Sequence, residues 1–391
     1  MGSLDFTHQA LRTRLVCKPS AARSLPSELA QLGCARPLLL TSKHMRAHSF
    51  YYELHLLLHD FSVAEFDDIP QHSDLSMISR IVEKMTVHKA DSLVAIGGGS
   101  VSDSAKAAAL LSAEEGNLHQ LASRFIAPKT IVAPRFLRPK LPIVSIPTTA
   151  SGAEVTPSFG IRAPEGEKLL FWDPQTASRV ILLDAELNVS VPASIMLATG
   201  MNGLAHCLEG LYSSNRSPIS TVLALDAIKR FDRALRAVAA APSVMDHRAD
   251  LLVAAHMSGM VLASARSCLH HAICHVIGAT SGAPHGDANS VVLPHALRFN
   301  QVAAADLLRP VAAALNEGRA GAQSIAPDAL PEWLESLQAE CRLPTRLRDI
   351  GVSHDALHGI ASRIMRERGL AFNPRVVQDP GEIQALLERA W

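Results

Sequence analysis

The residues "SLVAIGGGSVSDSAKAAALL", 92–111, carry the clearest indication of the fold. A short apolar run ends in three glycines at 97–99, and a helical pattern with Ser102 and Asp103 in its first turn follows at once. Glycines let a ligand approach the backbone closely, and the free N–H groups of a helix start attract phosphate oxygens. The stretch therefore predicts a strand, a phosphate-binding turn and a helix. Because its spacing is not GxGxxG, a plain strand-to-helix turn is the alternative interpretation.

Other apolar runs of strand length surround this stretch, and helical patterns separate them. The runs are "RPLLLTS" (36–42), "LPIVSIPTT" (141–149) and "RVILLD" (179–184). Strands that alternate with helices are typical of a parallel sheet with helices on its faces. The first half of the chain is therefore predicted to be an α/β domain.

The turn after the second of these runs, "IPTTASGAEVTP", carries the hydroxyl groups of Thr148, Thr149 and Ser151. The carboxyl ends of parallel strands meet at one edge of a sheet, where nucleotides bind. Two strand ends with small polar residues strengthen the nucleotide interpretation. Taken alone, the stretch is a loop rich in turn formers.

The pattern changes at about Val191, where strand signals stop and amphipathic helical stretches begin, with Pro192 at the change. A chain of 391 residues is also too long for one ordinary core. We expect two domains, an α/β dinucleotide-binding domain at 1–188 and an all-helical catalytic domain at 189–391.

The composition narrows the class of partner. Apolar residues make up 48% and charged residues 19%, as in a well-buried globular protein. Lys plus Arg equals Asp plus Glu at 37 each, so no net field attracts nucleic acid or an anionic membrane. We expect a small-molecule substrate, reduced thiols because the six cysteines form no CxxC pair, a cytoplasmic protein and a homodimer.

Five histidines fall within "HHAICHVIGATSGAPHGDANSVVLPH", residues 270–295. His271 and His275 are four apart and share one helix face, as His206 does with Asn202 on an earlier helix. Together with a further imidazole, they suffice to bind a divalent transition metal and leave one position open. The alternative is that each is a core histidine bonded to the backbone.

The other three histidines of the segment differ in their expected places. His285 follows a helix break marked by Pro284 and Gly286, and it is expected to join the cluster. His270 is expected to point off the opposite helix face. His295 is expected to open a new element after Pro294. We therefore expect His270 and His295 to lie outside the site.

Four segments together resemble the iron-containing alcohol dehydrogenase family, in order and over nearly the whole chain. They are "AIGGGSVSDSAK", "PTTASGAEVTP", "DAELNVSVPASIMLATGMNGLAHCLEGLYS" and "HHAICHVIGATSGAPHGDANSVVLPHALRFN". Within the family the resemblance is closest to the maleylacetate reductase branch. Asn202, the doubled "HHAICH" and the C-terminal "NPRVVQDPGEIQALLERA" carry that finer resemblance.

The resemblance implies the fold shared with dehydroquinate synthase, an α/β dinucleotide-binding domain with a parallel sheet followed by an all-α domain, with the active site in the cleft between them. It implies NADH or NADPH as cofactor, and the matching cofactor-binding residues are Gly97, Gly98, Gly99, Ser100, Asp103, Thr148, Thr149 and Ser151. The ligands of divalent Fe or Zn in metal-using members match Asn202, His206, His271 and His285. His275 matches a position near the nicotinamide.

Two departures from the family pattern affect this expectation. Asn202 stands where the metal-using members have Asp, so the site loses a negative charge and bound Fe or Zn is in doubt. His206, His271 or His275 would then polarise the substrate oxygen or deliver a proton. Ser42, followed by Lys43, stands where many relatives have an Asp that repels a 2′-phosphate, so NADPH is expected to serve as well as NADH.

The function expected from this resemblance is NAD(P)H-dependent hydride transfer to an enoate or carbonyl of a small oxygenated acid, as in maleylacetate. Lys168 is the candidate cation for a substrate carboxylate. Three alternatives stay open. They are an alcohol or aldehyde dehydrogenase acting on another carbonyl, a non-redox cyclase or lyase similar to dehydroquinate synthase, and a non-catalytic binding protein on this scaffold.

Overall fold

A computed structural model describes residues 6–70, 74–127, 129–163, 168–317 and 324–391. The strands in chain order are β1 (Arg14–Cys17), β2 (Pro37–Leu40), β3 (Ala64–Phe66), β4 (Ser92–Gly97), β5 (Arg124–Ile126), β6 (Thr130–Val132), β7 (Ile143–Pro147), β8 (Ser158–Arg162), β9 (Lys168–Trp172) and β10 (Val180–Leu183).

The helices are α1 (Leu25–Gln31), α2 (Lys43–Arg46), α3 (Ser49–Leu57), α4 (Leu75–His88), α5 (Gly99–Leu111), α6 (Leu118–Leu121), α7 (Ala185–Val189), α8 (Ala193–Tyr212), α9 (Pro218–Ala240), α10 (Met245–Ala265), α11 (Leu269–Ser281), α12 (His285–Asn300), α13 (Ala305–Asn316), α14 (Leu330–Glu340), α15 (Leu357–Ile364) and α16 (Pro380–Ala390). Short 3-10 helices lie at Ala21–Ser24, Pro174–Thr176, Pro327–Ala329, Leu347–Ile350, His354–Ala356 and Arg368–Phe372.

A parallel sheet in the order β1-β10-β7-β4-β2-β3 forms the centre of the N-terminal half. The four apolar runs of the sequence form β2, β4, β7 and β10, and each of these strands is buried along its whole length. Strands covered on both faces carry continuous apolar runs instead of alternating ones. The predicted parallel α/β architecture is confirmed, whereas the edge strands β1 and β3 were missed.

Successive residues of the central strands enter two different cores, because side chains alternate between the faces of a strand. Leu93 packs on the face that holds Ile78 and Ile81 of α4. Val94 packs on the other face with Leu25 and Leu29 of α1. Helices therefore pack on both faces of the central strands. This packing holds the ends of β4 and β7 in position.

The chain divides into two compact units. One comprises Ala10–Ser123 and Ala133–Val191 and contains the sheet. The other comprises Pro192–Trp391 with Arg124–Val132 and the N-terminal residues through Gln9. The helical unit thus includes the β5–β6 hairpin, whose Phe125 packs against the core formed by α11, α12, α15 and α16. No pattern in the sequence indicated this inserted segment.

One feature of the helical unit differs from expectation. Helix α12 continues through Pro294 to Asn300, so His295 lies within a helix and the expectation that it opens a new element was wrong.

In the described part of the chain, no single helix has the length and apolar composition of a membrane span. Helices α10 and α11 meet such criteria only when joined across a bend of 105°. All six cysteines are free thiols.

Gly369 is predicted to be required for packing at the start of α11. A Cβ there would lie 2.3 Å from the Cys268 carbonyl oxygen, and a backbone atom cannot swing aside as a side chain can. We expect Gly369→Ala to lower the free energy of unfolding by about 1–3 kcal/mol. Urea unfolding measures this change.

Gly359→Ala is the matched control, because Gly359 lies on the exposed side of α15 with no atom within 4 Å of an added Cβ. Alanine is a better helix former, so this variant should gain roughly 0.5–1 kcal/mol. Equal effects of the two substitutions would contradict the packing argument.

Candidate active site

Two helices of the helical unit present the polar cluster. On α8, Asn202, His206 and Glu209 are spaced four and three residues apart, so they share one face. On α11, His271 and His275 share a face in the same way. Asn202, His206, Glu209 and His271 are all buried, with Glu209 fully inaccessible. Side chains of this polarity are costly to bury unless they satisfy one another.

Glu209 joins the two helices. One carboxylate oxygen accepts a hydrogen bond from the backbone N–H of His270 at 2.8 Å, and the other lies 2.5 Å from Nδ1 of His271. Within the described part, Cys268 provides no side-chain cap for α11, so Glu209 serves that role from another helix. Burial raises the pKa of the Glu209 carboxyl, and the His270 ring and backbone N–H groups at the start of α11 oppose that rise.

The hydrogen bonds of His270 determine which nitrogen of His271 carries a proton. Nε2 of His270 lies 3.1 Å from the Asn289 carbonyl oxygen, which only accepts, so this nitrogen is the donor. Burial lowers the pKa of His270 to about 4, so the ring is neutral and its Nδ1 accepts. Nδ1 of His271 is 3.2 Å away, and it therefore donates to both His270 and Glu209.

The other side of His271 faces Asn202 and His206. Nε2 of His271 lies 3.2 Å from Oδ1 of Asn202. The His206 ring stacks on the His271 ring, with centroids 4.6 Å apart and planes 18° apart. Burial and the neighbouring His271 hold the pKa of His206 well below its ordinary value. Nδ1 of His206 is buried without a hydrogen-bond partner in the described structure, and a polar group of a bound molecule would satisfy it.

His275 and His285 form the more accessible part of the cluster. Their rings stack with centroids 6.0 Å apart, and both are partly buried. Nδ1 of His275 lies 3.6 Å from a carboxylate oxygen of Glu367. The His271 centroid is 6.1 Å from that of His275 and 6.4 Å from that of His285. The structure thus brings together four predicted histidines, two buried and two reaching solvent.

The α/β unit presents the predicted cofactor turn. Backbone N–H of Thr148 donates to Gly97 at 3.0 Å, so the turns after β4 and β7 lie side by side. A Cβ at Gly98 would come within 2.9 Å of Cγ2 of Thr149. Gly98 is the N-cap of α5, which leaves the first N–H groups of that helix without a side-chain cap.

The remaining residues of this turn have mixed roles. Gly99 lies close to Ser151, whose Oγ is 3.4 Å from Oγ1 of Thr149. The Ser100 carbonyl accepts from Oγ of Ser104 at 2.7 Å. Asp103 accepts from the backbone N–H of Gly160 at 3.3 Å, which is a contact within the protein.

Lys106 was missed by the sequence analysis. It is buried, and its Nζ donates to the carbonyl oxygens of Ala153 at 2.6 Å and Ser158 at 3.0 Å. It also lies 3.3 Å from Oδ1 of Asp103. Lys106 therefore links the loop after β7 to α5. The signal available in the sequence was its spacing of three residues from Asp103 on a helix.

The other three predicted residues, Ser42, Lys43 and Lys168, belong to other segments of the α/β unit. Ser42 is the N-cap of α2 and accepts from Met45 N–H at 3.4 Å. Lys43 is exposed and pairs with Asp68 at 2.9 Å. Lys168 is exposed at the start of β9, opposite Arg162 of β8.

The sequence matches known proteins over nearly its full length. The model of the Fe-containing alcohol dehydrogenase family, C-terminal, matches residues 196–391, and the model named iron-containing alcohol dehydrogenase matches residues 12–185. The chain belongs to the iron-containing alcohol dehydrogenase family. It is therefore an oxidoreductase of that type, and its parallel sheet and helical unit have the fold of this family.

The proteins similar to this chain include maleylacetate reductases. That of Pseudomonas knackmussii is 29% identical, with 99% of this chain and 98% of the relative aligned. The solved maleylacetate reductase from Agrobacterium tumefaciens is 27% identical with a TM-score of 0.82, over 99% of this chain and 98% of that one. A solved 1,3-propanediol oxidoreductase is 26% identical with a TM-score of 0.89, over 100% of both chains.

Asn202 weakens the fit of the expected metal ligands to a divalent cation, because its amide brings no charge. Oδ1 of Asn202 and Nε2 of His271 lie 3.2 Å apart. Among the described residues, ligand atoms from three His, Cys, Asp or Glu residues approach within 4.8 Å at Glu209, His270 and His271, and not at the expected set of His206, His271 and His285. In that group, hydrogen bonds already join the three side chains.

Glu209 and His270 are the residues of the cluster that the sequence analysis missed. Glu209 follows His206 by three positions, so helical spacing was a usable signal. The His270 ring contacts the His271 ring, contrary to the expectation that His270 lies outside the site. Adjacent residues of a helix point in different directions, so the sequence does not predict that His270 and His271 contact each other. Only the packing of α8 against α11 shows this contact.

Asn202→Asp is predicted to create metal affinity. A carboxylate at this position adds a negative charge beside neutral imidazoles in a buried site, which attracts a divalent cation. We expect Zn(II) or Fe(II) to co-purify with the variant and little metal with the unmodified protein, as measured by elemental analysis.

Asn117→Asp is the control for added charge alone, since Asn117 is an exposed N-cap that Asp replaces well. It should leave the metal content unchanged. One tightly held metal ion per unmodified chain would contradict the interpretation of Asn202.

Proposed function

We propose that this protein is an NAD(P)H-dependent reductase that adds hydride to the enoate or carbonyl group of a small oxygenated acid. Its similarity to maleylacetate reductases over nearly the whole chain supports the substrate class. The observation that carries the proposal is the buried Glu209–His271 pair, because the carboxylate favours a protonated His271 ring with a second N–H at Nε2, at the position that the family resemblance assigns to a metal ligand.

Glu209 orients His271 for this role. Its carboxylate lies 2.5 Å from Nδ1 and stabilises positive charge on the ring. In the protonated ring, Nε2 donates a hydrogen bond to the substrate oxygen that gains negative charge as hydride adds. Asn202 holds the same edge of the ring through its amide without neutralising that charge.

His275 supplies the proton that completes the reduction. Its ring is partly exposed, so water can reload it, and Glu367 lies 3.6 Å from its Nδ1. Hydride brings two electrons to the substrate, and one proton from His275 then converts the enolate to the reduced acid. Electrons and charge balance without a further oxidant or reductant.

The glycine turn fits a cofactor pyrophosphate. The space that a Cβ of Gly98 would fill is already in contact with Thr149, so glycine keeps the N–H groups of α5 accessible. When bound there, a reduced nicotinamide cofactor would supply the hydride. Ser42 offers a hydroxyl in place of a repelling carboxylate, and Lys43 a cation, so we include both NADH and NADPH.

Substrate recognition and assembly are also part of the proposal. Lys168 is exposed and offers a cation to a substrate carboxylate. The equal numbers of cationic and anionic residues, 37 each, support a small-molecule partner over nucleic acid or a membrane surface. We propose a homodimer in the cytoplasm as the working form.

An alcohol or aldehyde dehydrogenase that acts on another carbonyl is the alternative. The structural similarity to 1,3-propanediol oxidoreductase, with a TM-score of 0.89 at 26% identity, favours it. Oxidation of NADH and NADPH with maleylacetate, other keto and enoate acids and simple aldehydes, with and without a chelator, separates the two. Turnover of acids that survives chelation supports the proposal, and turnover confined to aldehydes contradicts it.

Gly98→Val is predicted to weaken cofactor binding. The branched side chain would overlap Thr149 and cover the N–H groups that bind phosphate. Fluorescence titration with NADPH should show at least about a tenfold weaker affinity, since charge-assisted hydrogen bonds contribute roughly 1.5–3 kcal/mol each. Unchanged affinity in a folded variant would show that the turn does not hold the cofactor.

Glu209→Gln is predicted to reduce kcat by about 100-fold while leaving NADPH affinity unchanged, because it removes the charge that stabilises protonated His271. Glutamine keeps the shape and an acceptor for the His270 N–H. Steady-state kinetics and circular dichroism measure both properties. A folded variant with full activity would remove the pair from the mechanism.

A further inference from the structure

A cavity of about 350 Å³ lies at the amino ends of β1 and β10, beside the end of α1. The backbone N–H of Arg14, at the start of β1, donates to the carbonyl oxygen of Arg179 at 2.9 Å, and this bond brings the two segments together. The glycine turn follows the carboxyl end of β4, and the strands of the central sheet are parallel. The cavity therefore lies at the opposite edge of the sheet from the predicted cofactor turn.

Three arginines line this cavity, which we call the arginine cavity. They are Arg12, Arg14 and Arg179. Glu28 of α1 is the one acidic residue in the described lining. Nε of Arg14 lies 3.3 Å from a carboxylate oxygen of Glu28, whose side chain is buried. Glu28 thus neutralises one of the three guanidinium charges, and the lining keeps a formal excess of two positive charges.

Arg12 and Arg179 carry this excess charge. Both side chains are exposed, and within the described part of the chain neither guanidinium group has a hydrogen bond or an ion pair. By contrast, the exposed Arg233 and Arg309 each pair with a carboxylate. Like charges on a concave surface focus their field on the enclosed space and attract an anion. A bound anion would supply the counter-charge that the described lining does not.

Apolar side chains also line the arginine cavity. Leu11 and Leu32 are partly exposed there, and Val180 of β10 completes the apolar part of the lining. Removal of such surface from water favours a ligand with a carbon skeleton over a small inorganic ion. The volume of the cavity falls within the range of about 300–1,000 Å³ that is usual for small-molecule sites. The lining therefore matches a small organic molecule with two negative charges.

We propose that the arginine cavity binds a small organic dianion whose negative charges lie on carboxylate or phosphate oxygens. The planar guanidinium groups of Arg12 and Arg179 each offer parallel N–H donors to such oxygens. Arg14, held by Glu28, adds a third cation to the field. The apolar body of the ligand contacts the leucines of the lining. This site goes beyond the proposed function, since neither the glycine turn nor the histidine cluster contributes to the described lining.

Isothermal titration of the whole protein, with and without NADPH, tests this site with phthalate and phenyl phosphate as the dianions. Phthalamide is the neutral counterpart, and the pH stays above about 7, where phenyl phosphate carries close to two charges. We expect one or both dianions to bind and phthalamide not to bind. A preference between the two dianions identifies the recognised group as carboxylate or phosphate. Equal binding of phthalamide, or binding of neither dianion, would overturn the site.

Arg12→Met and Arg179→Met remove the two unpaired guanidinium groups and leave unbranched apolar side chains. Each variant should weaken dianion binding about threefold and the double variant about tenfold, because water reduces the strength of charged hydrogen bonds at exposed sites. The affinity of the unmodified protein should also fall as the salt concentration rises. Unchanged affinity in the double variant would contradict the proposal.

Arg135→Met is the matched control for these variants. Arg135 is an exposed arginine of the same α/β unit, and it lies outside the cavity lining. Its substitution removes the same charge from the surface of the unit and should leave dianion affinity unchanged. A loss equal to that of the cavity variants would show a general effect of surface charge and would overturn the site.

The outcomes separate this site from the proposed function. NADPH affinity and reductase activity of the double variant should equal those of the unmodified protein, because the cavity lies at the opposite edge of the sheet from the glycine turn. Arginine-dependent dianion binding without any NAD(P)H oxidation would support the arginine cavity and overturn the reductase. Reductase activity together with dianion binding that NADPH displaces would place the dianions at the glycine turn, and this result would overturn the arginine cavity alone.

Discussion

The buried Glu209 carboxylate is the interaction on which the histidine site depends. It reaches from α8 to the start of α11, accepts the backbone N–H of His270 and contacts the ring of His271. A carboxylate loses much hydration free energy when it is fully buried, and these donors offset that loss. The Glu209 carboxylate therefore joins α8 to α11, caps the first turn of α11 and fixes the orientation of the His271 ring.

The remaining histidines differ because their burial differs. His206 and His270 are buried, and desolvation keeps both rings neutral. His275 and His285 lie toward solvent in the same helical unit. A neutral buried ring can position or accept, whereas an accessible ring can exchange protons with water. The cluster therefore contains distinct chemical roles within a set of identical side chains.

Close backbone packing determines where this cluster lies. Gly369 sits against the Cys268 carbonyl, and Arg266 carries an unfavourable backbone conformation two residues before Cys268. Asn373 adds an acceptor for the Leu269 N–H at 3.3 Å. The start of α11 is thus over-determined by several contacts, and this makes the strained arginine tolerable. A site that must place two rings accurately benefits from such rigidity.

The parallel sheet, the glycine turn and the helical second half were predictable from the sequence, because each depends on local patterns. Continuous apolar runs require cover on both faces, and three glycines before a helix require a close approach. The sequence also showed that His206, His271, His275 and His285 are good candidates for one cluster. Contacts between segments far apart in the sequence establish that Glu209 and His270 complete the cluster and that residues 124–132 join the helical unit, and the structure shows that α12 continues through Pro294. Helical spacing places Glu209 near His206 on α8, but it does not show which other helix that part of α8 meets.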